Sequence, residues 1–365
     1  MLKLIVLSLF NILLIHSKIF NPEEFLTIPR TRHILLLQWG KIWNNWKPLE
    51  ITCPSIANCT YTRDKKKLKK ADAVVFLGNY NLNKHKLPRR KHKNQLFIYQ
   101  NLEAEIIMSN KDKKIFKKNF YNFTQTYSSN ADFYKPYGGP WFHGEVREEN
   151  KKYYISKFTT SPSKILKGKR GEIFWTVSHC DTLSKREKAV NALTKYINVD
   201  QYGKCNERKL NVSYLEKEYL NVVSEYYFYV ALENRDCYEY ITEKYWGRTL
   251  SNSIPIVAVR SIYNGVVPPN SIIAMDDFGS AKDMAKYLHF LIENPKEYLK
   301  YFDYRKDGWK LWNFDEKEYS YCQLCLFIQH ALNDKTKKHY KYAEKQLAKR
   351  SRCLKDGYIA EKWNL

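Results

Sequence analysis

Residues Tyr226–Thr249 read YYFYVALENRDCYEYITEKYWGRT. The opening Tyr226–Glu233 is a continuous apolar and aromatic run, which predicts a strand buried on both faces. It delivers Glu233-Asn234 at its C-terminal end. A loop with Cys237 follows, and Tyr240-Ile241-Thr242-Glu243-Lys244 opens a helix. Ligands of open α/β sheets bind beyond the carboxyl ends of strands, and the backbone N–H groups of a helix start suit phosphate. A carboxylate beside a lysine can divide a nucleotide sugar between them, Glu243 accepting from hydroxyls and Lys244 neutralising phosphate. The pair also reads as a surface salt bridge or cap, and these residues alone leave both readings open.

The same signature recurs on either side. His33–Trp39, Ala71–Leu77 and Gln95–Tyr99 form one series of buried strands; Glu172–Ser178, Ile254–Val259 and Ser271–Met275 join Tyr226–Glu233 in a second. Helices fall between them. Ser184–Ile197 carries Ala189, Leu193, Tyr196 and Ile197 on one face. Ala281–Glu293 opens with Ser280 as N-cap and Asp283 three residues on, and Asn294-Pro295 stops it. Strands alternating with helices predict α/β architecture. Two series predict two Rossmann-like domains, over residues 30–150 and 172–335, with a Lys-, Ser- and Thr-rich linker over 151–171 and a basic segment over 336–365.

Composition narrows the classes. The 365 residues include 29 Tyr and 18 Phe, which excludes a disordered chain, and only 13 Gly and 12 Pro, which excludes a collagen-like polymer. A mean hydropathy of −0.59 excludes a multi-span membrane protein. The formal net charge is +24. Lysines cluster at Lys65–Lys70, Lys84–Lys93 and Lys111–Lys118, a pattern that attracts polyanions. No groove-binding motif accompanies them, so a solvated surface is the preferred reading and nucleic acid is not expected as a partner.

Residues 1–17 place an apolar run behind Lys3. It is shorter than the roughly 20 residues of a full membrane span and reads as a signal peptide or short signal-anchor. Eight cysteines, Cys53, Cys59, Cys180, Cys205, Cys237, Cys322, Cys325 and Cys353, and sequons at Asn58, Asn122 and Asn211 agree with an oxidising secretory lumen. Cys322-x-x-Cys325 lacks the second half of a zinc site. Asp276-Asp277 reads as a strand-end turn in preference to a metal ligand.

With these residues in view, the chain resembles the α1,3-fucosyltransferases, glycosyltransferase family 10, over roughly residues 30–330. FYVALEN…Cys…YITEKYW resembles that family's donor signature. Phe174–Lys204, with Ser178, Arg186 and the Asp200–Gly203 turn, is similar to its second motif. Gln100–Glu103, the stretch from Asn122 to Gly138, Pro268–Ser271, Tyr301–Tyr304 and Cys322-x-x-Cys325 continue the family order.

The resemblance implies a GT-B fold, two Rossmann-like domains facing each other across a cleft. It implies GDP-β-L-fucose as donor, with Arg186, Glu243 and Lys244 holding it and Ser178, Tyr229, Asn234 and Tyr240 lining it. Glu103 matches the general base of a single inverting displacement. The family's N-L-E-S-P reads here Asn101-Leu102-Glu103-Ala104-Glu105, so Glu105 is a rival carboxylate. Cys53 and Cys59 would pair with Cys322 and Cys325. No metal would be required, with Mn²⁺ or Mg²⁺ at most stimulatory. The acceptor would be a GlcNAc residue of a glycan or glycoprotein, and the enzyme would sit in the Golgi membrane, single-pass type II, held by its N-terminal segment. Trp39, Trp43 and Trp46 could stack on acceptor sugars or fill a core. Transfer to protein Ser/Thr or another glycan, and a non-catalytic glycan- or polyanion-binding protein, are the alternatives.

Overall fold

The structure, a computed structural model, describes residues 32–40, 51–52, 58–77, 87–104, 118–139, 141–148, 151, 154–155, 158–213, 216–312, 322–333, 339–343 and 352–365. Residues 1–17, Trp43, Trp46, Cys53 and Glu105 lie outside these. The chain divides into two compact units: Phe20–Pro136 with Phe314–Arg352, and Tyr137–Asn313 with Cys353–Leu365.

The first unit holds strands β1 (Ile34–Trp39), β2 (Ile51–Thr52), β3 (Cys59–Thr62), β4 (Ala73–Leu77), β5 (Leu96–Asn101), β6 (Phe123–Thr126) and β7 (Phe133–Tyr134). They form one sheet in the order β2-β3-β1-β4-β5-β6-β7, parallel except for the β2–β3 pair. The strands read as unbroken apolar runs because both faces are covered. Leu36, Val75 and Ile98 meet Leu324, Leu326 and Ile328 of the helix Gln323–Asn333 on one face. Leu37, Val74, Phe97 and Tyr99 meet Tyr121 and Tyr340 on the other. Cys59 is bonded to Cys325, which ties that helix to β3 across 266 residues of sequence. Cys322 is disulfide-bonded as well.

Two of the three sequons present exposed asparagines, Asn58 and Asn211. Asn122 is buried, and its amide oxygen accepts from Phe97 N at 2.8 Å and from Arg90 at 2.9 Å.

The second unit holds β8 (Trp141–His143), β9 (Tyr154–Ile155), β10 (Gly171–Thr176), β11 (Val199–Tyr202), β12 (Tyr226–Val230), β13 (Ile254–Val257), β14 (Ile273–Ala274) and β15 (Trp309–Trp312). Its main sheet is all-parallel in the order β11-β10-β12-β13-β14. Strands β8, β15 and β9 form a small antiparallel sheet. The connection from β10 goes to β11 on one side, and the chain then returns to β12 on the other. The strand order therefore reverses between β10 and β12, the position at which such sheets bind ligands.

Three expectations are corrected. The boundary between the units falls between Pro136 and Tyr137, not over 151–171. That stretch holds β9 and the helix Pro162–Leu166, because its apolar Tyr154 and Ile165 are buried while its lysines and serines carry the composition. Residues 336–365 are not one tail: Tyr340 and Ala343 pack in the first unit, and Ile359 and Trp363 in the second. The helix expected over Ser184–Ile197 spans Arg186–Leu193. Lys185 has φ +51°, which breaks the helix before Arg186, and Tyr196 is 46% exposed, off the apolar face. The helix Ala281–Glu293 matches its expected bounds, capped by the Ser280 hydroxyl at Asp283 N and followed by Pro295 at the next helix start.

Candidate active site

Strands β10 and β12 lie side by side, and the residues after them assemble the site. Beyond β10, the chain passes Ser178, which is exposed, and reaches Arg186 at the first turn of Arg186–Leu193. The disulfide Cys180–Cys205 closes this loop. Gly203, in the Asp200–Gly203 turn, holds φ +103°, and a Cβ there would sit 2.4 Å from the Val177 carbonyl oxygen, so only glycine fits.

Arg186 is buried under the end of β12. One terminal nitrogen donates to Leu232 O at 2.7 Å and the other to His179 O at 3.2 Å. This leaves the second N–H of each terminal nitrogen for an anion. Its Nε and the Asn234 amide oxygen are both buried without a hydrogen-bond partner among the described residues. Burial lowers the Arg186 pKa, with Glu233 and then Glu187 opposing. The Asn234 carbonyl accepts from Ser184 N at 3.0 Å, locking the two strand-end loops together.

Glu233, one residue earlier, is 4% exposed and fully engaged. One oxygen accepts from Thr242 N and from the Thr242 hydroxyl, each at 2.8 Å. The other accepts from the Lys244 ammonium at 2.9 Å. Thr242 is the N-cap of the short helix Glu243–Trp246. Lys244 Nζ also donates to the Thr242 hydroxyl at 2.7 Å and lies 3.3 Å from Glu243. Burial disfavours the Lys244 ammonium, but Glu233 and then Glu243 outweigh it and hold the pKa above the ordinary lysine value. Glu243 is exposed; loss of hydration pushes its carboxyl up, yet Lys244 and the hydrogen bonds at the helix start hold it below the ordinary range. Tyr240 is buried, its ring edge-on to Tyr137 at 5.9 Å.

The structure thus brings Arg186, Asn234, Glu243 and Lys244 to the ends of two neighbouring strands, with Ser178 and Tyr240 beside them. Tyr229 does not join them. It sits within β12 at 0% exposure, and its hydroxyl donates to Tyr245 O at 3.4 Å inside the core. A strand covered on both faces hides which face each side chain takes, and this one points away from the ligand end.

Sequence reasoning left three residues unassigned. Glu233 organises the helix start and Lys244. Arg248, one helical turn after Lys244, is buried and donates to Lys244 O at 2.6 Å and to Thr176 and Tyr219 hydroxyls. Asp236, in the loop after Asn234, is 5% exposed. Their signal was the position of each within or beside the motif, not residue type.

Asp236 makes the unit sensitive to pH. Burial, with Glu233 adding and Arg186 opposing, pushes its carboxyl up to about 7 from 3.8. Between these values the folded chain holds a proton that the unfolded chain has released. Its contribution to stability is therefore full below pH 3.8 and is lost as pH rises to about 7. Asp236→Asn is expected to gain stability over wild type on the order of 1.4 kcal/mol per pH unit across this window. Urea midpoints of both proteins at pH 4 and pH 8 test this; a constant difference would reject it.

Glu103 belongs to the first unit. It follows β5, is exposed, and its backbone N donates to the Asn101 side chain at 3.1 Å. Asp276 and Asp277 are occupied by Arg260, the first accepting from its backbone N at 2.9 Å and the second from its guanidinium. Among the described residues no three His, Cys, Asp or Glu side chains cluster as metal ligands.

The description "Fucosyltransferase, N-terminal" matches residues 29–138, and "Glycosyltransferase family 10 (fucosyltransferase) C-term" matches residues 166–346. "Alpha-(1,3)-fucosyltransferase fut-1" of Caenorhabditis elegans is 31% identical over 281 residues, 75% of this chain; the chain spans 60% of that relative's length. "4-galactosyl-N-acetylglucosaminide 3-alpha-L-fucosyltransferase FUT6" of Pan troglodytes is 29% identical over 316 residues, 81% of this chain and 79% of the relative. The crystal structure of an α1,3-fucosyltransferase with GDP superposes with a TM-score of 0.54 at 15% identity, covering 86% of this chain and 96% of that one. The fold is of the GT-B type, and the chain belongs to glycosyltransferase family 10, the fucosyltransferases.

Proposed function

We propose that the protein is an inverting α1,3-fucosyltransferase that moves L-fucose from GDP-β-L-fucose to the 3-OH of a GlcNAc residue in a glycan. The observation that supports this is the buried Arg186 and the Glu233-anchored Lys244 beyond the ends of neighbouring strands at the strand-order reversal, an arrangement of two cations that would suit a diphosphate. Arginine's planar donors suit two phosphate oxygens at once, and Lys244 adds a point charge beside them. Glu243, ionised and exposed next to Lys244, accepts from sugar hydroxyls. Asn234 and Ser178 line the nucleotide sugar, with Tyr240 packed behind.

The acceptor hydroxyl is a weak nucleophile until its proton leaves, and Glu103 takes it. The hydroxyl oxygen bonds to fucose C1 as the bond from C1 to the GDP oxygen breaks, which turns a β-linked donor into an α-linked product. Charge on the ring is oxocarbenium-like at the transition state, and Arg186 and Lys244 neutralise the charge that accumulates on GDP. These side chains supply the compensation a metal would otherwise give, so Mn²⁺ or Mg²⁺ would stimulate at most. A Golgi location with the N-terminal segment in the membrane fits an enzyme whose seven described cysteines are all bonded.

The test is transfer of labelled fucose from GDP-fucose to a panel of glycans by secreted residues 18–365, with the product linkage read by NMR. An α1,3-fucosylated GlcNAc is expected. Transfer to Ser/Thr peptides in place of glycans would redirect the acceptor, and failure to bind GDP would remove the enzymatic reading.

A further inference from the structure

The small sheet β8-β15-β9 carries a cavity of about 440 Å³, outside the strand ends that hold the donor residues. That volume falls in the range of small-ligand sites. Its described lining is Glu145, Val146, Glu148, Lys151, Tyr154 and Lys310. The chain as a whole carries +24, yet this depression balances two carboxylates against two ammonium groups. This described lining offers both acceptors and donors and carries no formal net charge, so it favours a neutral, many-hydroxyl ligand over an anion.

The walls are built. Lys310 Nζ is held by the Gly144 and Gly308 carbonyls, and Lys151 pairs with Glu148. Tyr154 packs between Phe142 and Trp312, with centroids 5.6 and 4.9 Å away. Aromatic rings beside paired hydrogen-bonding groups present both an apolar face and a polar rim.

The sheet is also fastened to the donor helix. Trp141, the first residue of β8, donates its indole N–H to the Tyr245 hydroxyl at 3.3 Å. Just before it, a Cβ on Gly138 would fall 2.0 Å from Trp246, so the backbone lies directly on that helix. Glu145 lies four steps along the chain from Trp141, a reach of at most about 14 Å. An oligosaccharide is long enough to span a distance up to that bound.

We propose that this cavity is a binding site for the outer sugars of a neutral acceptor oligosaccharide, distinct from the site of transfer. The proposal deepens the reading of the acceptor as a glycan and rests on it. The site holds the far end of a long acceptor, and so sets preference by acceptor length.

The test compares a disaccharide acceptor with a neutral hexasaccharide that ends in the same unit. Val146→Trp fills the cavity, and Glu145→Gln, at an exposed position, removes one charge without a change of size. Each variant is expected to raise KM for the hexasaccharide about five- to tenfold, somewhat under the 1.4 kcal/mol that a factor of ten represents. The disaccharide KM, the GDP-fucose KM and kcat should stay at wild-type values. Equal KM changes for both acceptors, or none, would overturn the proposal. A sialylated or sulfated hexasaccharide should gain nothing from the site, and tighter binding of it than of the neutral one would refute the ligand class. Saturation-transfer NMR of the hexasaccharide on wild type, without donor, reads the same site independently of catalysis. Outer-sugar contacts that persist in Val146→Trp would count against the cavity, and their presence in a wild type that transfers to no glycan would separate failure of the activity from failure of the site.

Discussion

Glu103→Gln is expected to lower kcat for fucose transfer by about 10²- to 10⁴-fold, the usual worth of a positioned general base. Glutamine keeps the shape of the side chain and its hydrogen-bonding reach but cannot take a proton. The KM for GDP-fucose should hardly change, because the donor residues lie in the other unit of the chain. Glu105→Gln, assayed in parallel, is expected to retain activity. Loss of transfer in Glu105→Gln alone would move the base two residues along the chain and leave the donor site as described.

The second large effect concerns Lys244. Its ammonium is the partner of the Glu233 carboxylate, which is 4% exposed. Lys244→Met leaves that carboxylate buried and uncompensated, and such losses cost about 3–5 kcal/mol. The same change removes a charge-assisted contact to the diphosphate, worth about 1.5–3 kcal/mol or roughly 10- to 100-fold in GDP affinity. The two losses can be separated. Adding Glu233→Gln to Lys244→Met removes the stranded charge while glutamine can still accept from Thr242. The double variant should therefore recover much of the thermal midpoint but none of the GDP affinity measured by calorimetry. Recovery of both together would mean that Lys244 serves the fold and not the ligand.

Much of this was legible in the amino-acid order, for identifiable reasons. Parallel strands buried on both faces leave unbroken apolar runs, so β1, β4, β5, β10, β12 and β13 could be read directly. Ala281–Glu293 was bounded by a serine cap and a proline, both local signals. Arg186, Asn234, Glu243 and Lys244 followed from strand ends and from the family resemblance. What could not be read depended on tertiary context. Lys185 leaves the helical region because the turn before Arg186 is pinned to Asn234 and Glu233. Tyr229 was implied as a ligand residue by the resemblance alone, and alternation within a doubly covered strand carries no polarity signal that could correct it. Glu233 was quoted but given no role, since nothing local distinguishes a carboxylate that serves a helix cap from one that meets substrate. The unit boundaries were hidden because the chain leaves each unit and returns to it.

That return has a consequence for biosynthesis. The last thirteen residues, Cys353–Leu365, belong with the donor residues made more than a hundred positions earlier. Cys353 is bonded to Cys237, Leu354 N donates to Asp236 O, Gly357 N to Leu183 O, and the Trp363 indole to Phe278 O. A nascent chain that has already displayed the whole YITEKYW stretch still lacks the brace behind the Asp236 loop. A nonsense codon at position 353 would spare every residue assigned to GDP and still yield a polypeptide with Cys237 unbonded. Such a product would carry an unpaired thiol at Cys237 beside an unbraced Asp236 loop.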